Sequence, residues 1–415
     1  MRVLILSQWY LPEPAYLMQE LAQTLQSMGH SVTVLTGFPN YPSGQVYPGY
    51  RIKLYQREEL AGVPIIRVPL YPEHSHSGIK RALNYISFAL SSSLMGACLA
   101  RRPDVIFVYH PPLTVGIPAW VLSRVWRVPF VYQVQDMWPE TLDATGMLKG
   151  KRMLAWIGSF AKWVYRRSNA ICVISPGFRE NLISKGVSPE KIHTISNWVD
   201  TESYHPVVPD DAFARELGLA GKFNVIYAGN IGEAQGLETV LDAAERLRDV
   251  DNIQFVLVGD GVALARLIQS AKERHLTNVV FPGRFKAGVM PSLYAIADVL
   301  LLHLKDDPLF RITIPHKLFT YMACGRPVLA AILGDAADIV RHAAAGICCI
   351  PGNAQALADA VRQFYGMTDD ERATMGKRGL AVVRNEYSRK RLVGEIESLL
   401  RAVVSRRTTD AVAAS

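Results

Sequence analysis

Residues 315–328 read PHKLFTYMACGRPV, and this stretch determines the local fold of the second half of the chain. Proline is common at the start of a helix, and glycine is common directly after its end. The stretch therefore predicts a short helix that begins after Pro315, ends at Gly325 and leads into a strand after Pro327. Lys317 then lies in the first helical turn, where backbone N–H groups have no partner within the helix.

A cation in this turn suits a phosphate-bearing ligand. The N-terminus of a helix presents N–H donors and a favourable dipole to an anion. We expect Lys317, with His316 beside it, to bind a diphosphate, and Thr320, one turn further, to meet a ribose hydroxyl. From these residues alone, a solvated surface lysine is an equally good interpretation.

The chain around this stretch alternates strands with helices. Strands are predicted at 224–228, 254–258 and 279–281, with helices at 236–247 and 262–275 between them. This rhythm indicates a mostly parallel sheet whose ligand-binding loops follow the carboxyl ends of the strands.

The first of these strands leads into a turn rich in glycine. The turn begins Gly229-Asn230 and reaches Gln235-Gly236 where the helix opens. Because such turns expose backbone N–H groups to an anion, we expect these four residues to bind the same phosphate-bearing ligand as Lys317. A tight turn without a ligand is the alternative.

The first half of the chain repeats the alternation. Apolar strands are predicted at 3–6, 31–36, 105–109 and 130–134, and residues 16–28 form an amphipathic helix. The turn after the first strand contains no glycine, which argues against a dinucleotide cofactor.

A break in this rhythm over residues 197–211 marks a linker with two prolines and paired aspartates. We therefore predict three segments: a first domain at 1–200, a second domain at 201–387, and a helix with tail at 388–415.

The composition suits an α/β protein with a charged partner. The chain has 415 residues, of which 49% are hydrophobic, and a net charge of +8. Residues 1–200 contain 20 Lys and Arg against 12 Asp and Glu, whereas residues 201–415 contain 25 of each. We therefore expect the first half to meet anionic lipid, a phosphate-bearing acceptor or nucleic acid. The five cysteines have no metal-ligand spacing and fit a reducing cytoplasm.

Residues 149–167 carry six basic residues and no acidic one. Aromatic residues among them recur at helical spacing, as in helices that lie at a membrane surface. The alternative is an ordinary amphipathic helix packed on the sheet. The expected membrane contacts are Lys149, Lys151, Arg152, Trp156, Trp163, Arg166 and Arg167. A second apolar run, residues 82–100, is expected to form a buried or interfacial helix rather than a membrane span.

Four motifs resemble the family 4 glycosyltransferases of the GT-B fold: GNIGEAQG (229–236), FPGR (281–284), PHKLFTYMACGRPV (315–328) and QDMWPE (135–140). TGFPNYP (36–42) and YPGYR (47–51) are similar to bacterial exopolysaccharide enzymes of the colanic-acid type. The resemblance implies two Rossmann-like, doubly wound α/β domains that face a central cleft. The domain at 1–200 would be the acceptor-binding, membrane-facing one, and the domain at 201–387 would bind the nucleotide-sugar donor. The C-terminal helix within 388–415 would cross back to the first domain.

The resemblance also implies a chemistry. It implies sugar transfer with retention of configuration, no metal and no other cofactor. It places Asp136 and His110 on the acceptor side, where Asp136 orients the acceptor hydroxyl or accepts its proton. On the donor side, Asn230 and Gln235 stand where many family members have Arg and Lys. Ile312 and Thr320 stand where many have glutamates. Phosphate binding would then fall to backbone N–H groups, Lys317 and Arg284.

These observations predict a cytoplasmic enzyme, peripheral on the inner face of the cell membrane. It would transfer a sugar, with fucose from GDP-fucose favoured, to a lipid-diphosphate-linked saccharide in bacterial exopolysaccharide biosynthesis. A UDP-linked amino sugar is the alternative donor. An epimerase of the same fold would need acid and base groups that this donor stretch lacks. A non-catalytic membrane- or nucleic-acid-binding protein is the alternative of another class, although no nucleic-acid-binding motif is present and we expect no such partner.

Overall fold

A computed structural model describes residues 1–74, 77–148 and 150–413. The chain divides into two compact units. The first unit comprises Met1–Ser196 and the chain from Arg389 onward, and the second comprises Asn197–Ser388. The predicted linker at 197–211 thus falls at the start of the second unit.

The first unit is built on an eight-stranded sheet. Its strands are β1 (Arg2–Leu6), β2 (Ser31–Gly37), β3 (Gln56–Leu60), β4 (Val63–Val68), β5 (Val105–His110), β6 (Phe130–Val134), β7 (Ala170–Val173) and β8 (Ile192–Thr194). The strand order is β3-β4-β2-β1-β5-β6-β7-β8. Neighbouring strands are parallel, except that β3 pairs antiparallel with β4.

The charged strand β3, with the sequence QREEL, shows no apolar alternation and forms the edge of the sheet. Charged residues on an edge strand discourage pairing with other chains, and this explains why the hydrophobic pattern does not predict β3.

Helices connect the parallel strands of this sheet. They are α1 (Tyr16–Ser27), α2 (Gly78–Leu99), α3 (Gly116–Trp126), α4 (Glu140–Ala144), α5 (Lys151–Arg167) and α6 (Pro176–Ser184). Since α2 joins β4 to β5 and α3 joins β5 to β6, both helices are crossovers of a βαβ unit.

The second unit contains a six-stranded parallel sheet. Its strands are β9 (Phe223–Asn230), β10 (Ile253–Asp260), β11 (Val279–Gly283), β12 (Val299–His303), β13 (Val328–Ala331) and β14 (Gly346–Cys349), in the order β11-β10-β9-β12-β13-β14. Its helices are α7 (Asp211–Glu216), α8 (Glu238–Arg246), α9 (Leu264–Glu273), α10 (Met290–Ala295), α11 (Pro308–Arg311), α12 (His316–Ala323), α13 (Asp335–His342), α14 (Ala354–Tyr365) and α15 (Asp369–Glu386).

Both faces of this second sheet are covered. Along β9, Val225 and Tyr227 pack into one hydrophobic core while Ile226 and Ala228 pack into the other. A strand buried on both faces reads as a continuous apolar run, which is why the sequence pattern locates the central strands well.

The final helix, α16 (Arg389–Ala413), belongs to the first unit. It packs against α1, and Nε2 of buried His30, just after α1, lies 2.9 Å from Oε1 of Glu397. The C-terminal helix therefore returns to the first unit after the second has been completed.

The strand orders indicate where ligands bind in each unit. The order reverses between β1 and β5 in the first sheet and between β9 and β12 in the second. In α/β sheets, ligands bind outside the carboxyl ends of the strands at such reversal points. The loops after β1 and β5, and those after β9 and β12, are therefore the first places to seek a site.

A buried carboxylate organises the loop after β1. Oε1 of Glu13 accepts hydrogen bonds from the backbone N–H groups of Asn40 and Tyr41, both at 2.8 Å. Oε2 accepts one from the N–H of Tyr10 at 3.0 Å. Burial raises the pKa of the Glu13 carboxyl to about 7, while these three donors and the nearby Arg67 act in the opposite direction. The carboxylate thus joins the loop after β1 to the loop after β2.

Replacing this carboxylate with an amide should weaken the first unit. We expect Glu13→Gln to lower the free energy of unfolding by about 1–3 kcal/mol, because an amide offers one acceptor oxygen to three buried N–H donors. Urea unfolding followed by circular dichroism measures the change. Glu59→Gln, on the exposed edge strand, is the control and should leave the midpoint unchanged. Equal midpoints for Glu13→Gln and the wild type would contradict this role.

Candidate functional site

The carboxyl end of β9 approaches the side chain of Lys317, in the first turn of α12, at Gly229. Gly229 has a φ of +147°, and a Cβ placed on it would lie 2.8 Å from Nζ of Lys317. Since any side chain here would displace the ammonium group, glycine is needed both for its backbone conformation and for the close approach. The structure thus brings together the predicted residues Gly229 and Lys317.

The ammonium group of Lys317 is held without a counter-charge. Nζ donates to Oη of Tyr227 at 2.7 Å and lies 4.1 Å from the centroid of the same ring. No carboxylate pairs with it in the part of the chain that the structure describes. Burial lowers the pKa of Lys317 to about 7. A bound phosphate would supply the missing negative charge and restore the charged form.

The turn that follows β9 is stabilised from within. Oε1 of Gln235 accepts a hydrogen bond from the N–H of Gly232 at 3.0 Å and lies 3.4 Å from Nδ2 of exposed Asn230. Gly236 has a φ of +58°, in the left-handed region that favours glycine. Gln235 therefore shapes the turn, and Asn230 presents its amide to solvent beside it.

A histidine that the sequence patterns do not single out lies at the same reversal point. Buried His303 ends β12, and its Nδ1 lies 2.6 Å from the carbonyl oxygen of Gln235. Burial lowers its pKa to about 4, so the ring is neutral and Nδ1 must be the donor. Nε2 is then an acceptor, and it has no partner among the described residues. The sequence does contain a signal that could have identified this residue, namely a histidine at the end of the apolar run Val299–His303.

The remaining predicted donor residues differ in placement. Thr320 is buried, and its Oγ1 donates to the carbonyl of Lys317 at 3.0 Å and is also hydrogen-bonded to Tyr294. Its hydroxyl is thus occupied inside the core, unlike the arrangement expected for a ribose contact. Exposed His316 places Nε2 3.0 Å from the carbonyl of Trp198, and Arg284 is exposed just after β11.

In the first unit, Asp136 follows the carboxyl end of β6. Its side chain is half-buried, and desolvation raises the pKa of its carboxyl to about 6. The structure shows no hydrogen bond to this carboxyl within residues 1–74, 77–148 and 150–413, so the alternative of a helix cap does not hold here. Burial, and then the charge of Asp136, raises the pKa of Tyr41 and Tyr109. An unpaired carboxyl with this pKa can act as a base near neutral pH.

Half-buried aromatic rings line the same edge of the first sheet. Trp9 stacks on Tyr41 with centroids 4.5 Å apart and meets Tyr85 edge-on at 6.4 Å. Tyr85 in turn lies 6.4 Å from Trp138, which is two residues beyond Asp136. These rings come from the loops after β1, β2 and β6 and from α2, so only the fold brings them together.

The second predicted acceptor-side residue, His110, is fully buried at the end of β5. Its ring meets Trp138 edge-on at 5.5 Å. Neither ring nitrogen has a hydrogen-bond partner in the described ranges, and burial lowers its pKa to about 3. His110 is therefore a neutral group behind the aromatic cluster, and a catalytic role for it stays a prediction.

Comparison with known proteins assigns the family. Residues 14–198 match the model of the Glycosyl transferase 4-like domain, and residues 210–382 match that of Glycosyl transferases group 1. The putative colanic acid biosynthesis glycosyl transferase WcaI of Escherichia coli K12 is 31% identical over 83% of this chain and 86% of its own. The chain belongs to the family 4 glycosyltransferases.

Two further comparisons agree with this assignment. The GDP-mannose-dependent alpha-mannosyltransferase of Mycolicibacterium smegmatis is 25% identical over 96% of this chain and 98% of its own. The crystal structure of Anabaena HepE in complex with UDP superposes with a TM-score of 0.74 at 18% identity, covering 97% and 100% of the two chains. The fold is therefore GT-B, and the chain is an enzyme rather than a non-catalytic binding protein.

Two adjacent aspartates of this glycosyltransferase, Asp306 and Asp307, precede α11, and each accepts a hydrogen bond. Oδ1 of Asp306 accepts from Nη2 of Arg311 at 2.8 Å, and Oδ1 of Asp307 caps α11 at the N–H of Leu309. No cluster of three or more His, Cys, Asp or Glu side chains suited to a metal occurs among the described residues.

The predicted membrane contacts of the glycosyltransferase lie on α5, apart from Lys149, which lies outside the described residues. Lys151, Arg152, Arg166 and Arg167 are exposed. Trp156 is exposed as well and stacks on Phe160 at 6.1 Å. The ring of Trp163 instead packs edge-on against Trp120 of α3 at 5.4 Å, so it contributes to helix packing.

Removing the Lys317 ammonium tests the donor site. We expect Lys317→Ala to weaken the binding of GDP or UDP by roughly 10- to 100-fold, the usual effect of losing a hydrogen bond to a charged group. Lys272→Ala, on the exposed face of α9, is the matched control. In the ligand-free enzyme the pKa of Lys317 is lowered to about 7, and a bound phosphate would raise it. The wild-type affinity should therefore be highest below pH 7, where Lys317 is already protonated, and should fall as the pH rises above 7. Isothermal titration calorimetry measures both effects, and an unaltered affinity would refute the assignment.

Proposed function

We propose that this enzyme transfers a sugar, with retention of configuration, from a nucleotide diphosphate to a lipid-linked oligosaccharide in bacterial exopolysaccharide biosynthesis. The observation that carries the proposal is the half-buried ammonium of Lys317, which has no carboxylate partner among the described residues and lies in the first turn of α12 beside Gly229. Its Nζ forms no ion pair with a carboxylate of the described residues, so a bound anion would be its counter-charge. That is a site for the diphosphate of a donor.

GDP-fucose is the donor that we favour, and a UDP-linked amino sugar is the alternative. The GDP-mannose-dependent relative supports a GDP-linked donor. HepE, which was crystallised with UDP, supports the second. Neither a metal nor another cofactor takes part in this proposal, because Lys317 and the backbone N–H groups would stabilise the leaving diphosphate.

The donor base can be identified by thermal stabilisation. We expect GDP to raise the melting temperature more than UDP or dTDP at the same concentration, because the nucleotide that binds most tightly stabilises the folded state most. A ligand at 100 times its Kd contributes about 2.7 kcal/mol. A larger shift with UDP would select the alternative donor. No shift with any of the three would overturn the proposal of a nucleotide-sugar donor.

In the proposed reaction, the bond from the anomeric carbon to the diphosphate breaks and a bond to the acceptor oxygen forms on the same face of the sugar. The acceptor hydroxyl loses its proton, and Asp136 is the group that we assign to orient this hydroxyl or accept the proton. Its pKa of about 6 leaves it ionised at neutral pH and still basic enough for the task. The surrounding aromatic rings offer flat, half-exposed surfaces to the acceptor.

Neutralising this carboxyl should impair transfer and spare donor binding. We expect Asp136→Asn to lower kcat by roughly 100- to 10,000-fold, the range that a general base contributes, with nucleotide affinity unchanged. The wild-type rate should rise with pH through about 6, as the carboxyl ionises. Transfer to a synthetic lipid-diphosphate-linked saccharide measures both, and Asp143→Asn, exposed on α4, is the control. A wild-type rate for Asp136→Asn would remove the residue from the mechanism.

A lipid-linked acceptor requires that the enzyme work at a membrane. We propose a cytoplasmic enzyme that is peripheral on the inner face of the cell membrane, where anionic head groups meet exposed cations such as Lys151 and Arg152. No nucleic acid takes part in this proposal.

A further inference from the structure

Helix α2 has its polar side toward the protein. Oδ1 of Asn84 accepts from Nε2 of Gln8 at 2.5 Å, and Nδ2 of Asn84 donates to the carbonyl of Tyr71 at 2.7 Å. Oγ of Ser91 donates to the carbonyl of Pro69 at 2.6 Å. The polar side chains in the middle of α2 are thus hydrogen-bonded to other parts of the first unit, and buried small and aromatic residues lie between them.

The opposite face of α2 is apolar and exposed. Five large aliphatic side chains recur there at helical spacing and are 45–78% exposed: Ile79, Leu83, Ile86, Leu90 and Leu94. A helix on the surface of a soluble protein normally shows the reverse pattern, with its apolar stripe toward the core. Contiguous exposed apolar surface of this kind marks an interaction site.

The charges around this stripe indicate its partner. Helix α3 packs against both α2 and α5. Together the three helices contain no Asp or Glu, while α2 has two basic residues, α3 has one and α5 has five. Exposed basic residues lie at both ends of the stripe: Lys80 is in its first turn, and Arg101 and Arg102 follow it. One acidic side chain reaches the start of α2, where Oε2 of Glu73 lies 3.8 Å from Nζ of Lys80. A surface on which basic residues predominate around an apolar centre matches an anionic lipid surface.

We propose that the outward face of α2 inserts its aliphatic side chains into the head-group boundary of an anionic bilayer, while the cations of α2 and α5 bind the lipid phosphates. This inference rests on the membrane location proposed above and deepens it. It moves the principal contact from the basic helix α5, which the sequence pattern favours, to α2.

A pocket near the C-terminal end of α3 is also lined by basic residues. It measures about 420 Å³ and is lined by Arg124, Arg127 and Arg407 together with Asn169. Burial, and then repulsion from neighbouring arginines, lowers the pKa of Arg407. Arginines gathered at a pocket favour an anion, and guanidinium groups suit phosphate oxygens.

The fold indicates that α2 lies on the membrane rather than crossing it. By length and composition, α2 is the one helix within the described ranges that could span a bilayer. However, it is the crossover between β4 and β5, two strands of one sheet, and its polar side chains are bonded to that sheet's loops. Spanning would expose those groups to hydrocarbon, which costs several kcal/mol for each group left unsatisfied.

A second copy of this chain is a poorer occupant of the stripe. A symmetric dimer through α2 would set the same patch on both subunits face to face. The basic residues at the two ends of α2 and along α5 would then oppose one another with no acidic residue on any of the three helices to offset them. Anionic lipid has the opposite charge and pairs with both parts of the surface.

Vesicle binding of the full-length protein tests the proposal. We expect the double variant Leu90→Gln and Leu94→Gln to reduce partitioning onto phosphatidylcholine–phosphatidylglycerol vesicles by roughly tenfold or more, because two inserted side chains are lost. This loss should persist at about 1 M salt, where the Debye length is about 3 Å and charge pairing is screened. The double variant Lys151→Gln and Arg152→Gln should instead lose binding chiefly at low salt.

A matched control uses aliphatic side chains exposed elsewhere. The double variant Val208→Gln and Ile350→Gln removes two of them from the second unit and should bind vesicles as the wild type does. Circular dichroism checks that each variant is folded. The vesicles contain neither donor nor acceptor. A loss of vesicle binding therefore tests this inference, and a loss of sugar transfer tests the proposed function, independently of each other.

Three outcomes would overturn the proposal. The first is wild-type partitioning of the α2 variant. The second is a wild-type dimer that the α2 variant converts to a monomer with no change in vesicle binding, which would make the stripe a subunit interface. The third is wild-type protein that stays with membranes after an alkaline carbonate wash, which would make α2 a span.

Discussion

A parallel sheet brings the carboxyl ends of its strands to one edge, and this constraint positions the candidate site in both units. The loops after β9 and β12 meet only because these strands are neighbours at the point where the strand order reverses. The same holds for the loops after β1 and β5. Residues more than 60 positions apart in the chain, such as Gln235 and His303, are then within hydrogen-bond distance.

The ionisable groups at these edges are desolvated and have no charged partner among the described residues. Burial moves the pKa of Lys317 to about 7, that of Asp136 to about 6 and that of His303 to about 4. Structural charges inside proteins are usually paired, as Glu13 is with three N–H donors. Groups left unpaired in this way gain most from a ligand of suitable charge, and perturbed pKa values therefore mark functional positions.

The helical layer of the first unit follows a different physical rule. In α2 the hydrogen-bonding demand of Asn84 and Ser91 is met on the protein side, which leaves the aliphatic side chains outward. In α5 the aromatic residues divide between the surface, at Trp156, and the packing against α3, at Trp163. The two helices thus contribute apolar area and charge, respectively, to one surface.

The sequence by itself determined the fold class and the order of most strands and helices, its motifs indicated the family, and it named the glycine turn and Lys317 separately as candidate site residues. These follow from local patterns: apolar runs for strands buried on both faces, and proline and glycine at the ends of α12. The strands that it does not predict are at sheet edges, where β3 is charged and shows no apolar alternation.

Only the tertiary structure decided which side of a helix is exposed and which distant groups share a site. Thr320 follows Lys317 by one turn, yet its hydroxyl is buried and bonded within the helix. The exposed stripe of α2, the aromatic cluster around Asp136 and the place of His303 depend on contacts between elements far apart in the chain. Local sequence patterns carry no record of those contacts, because burial is a property of what packs against a residue and not of the residue alone.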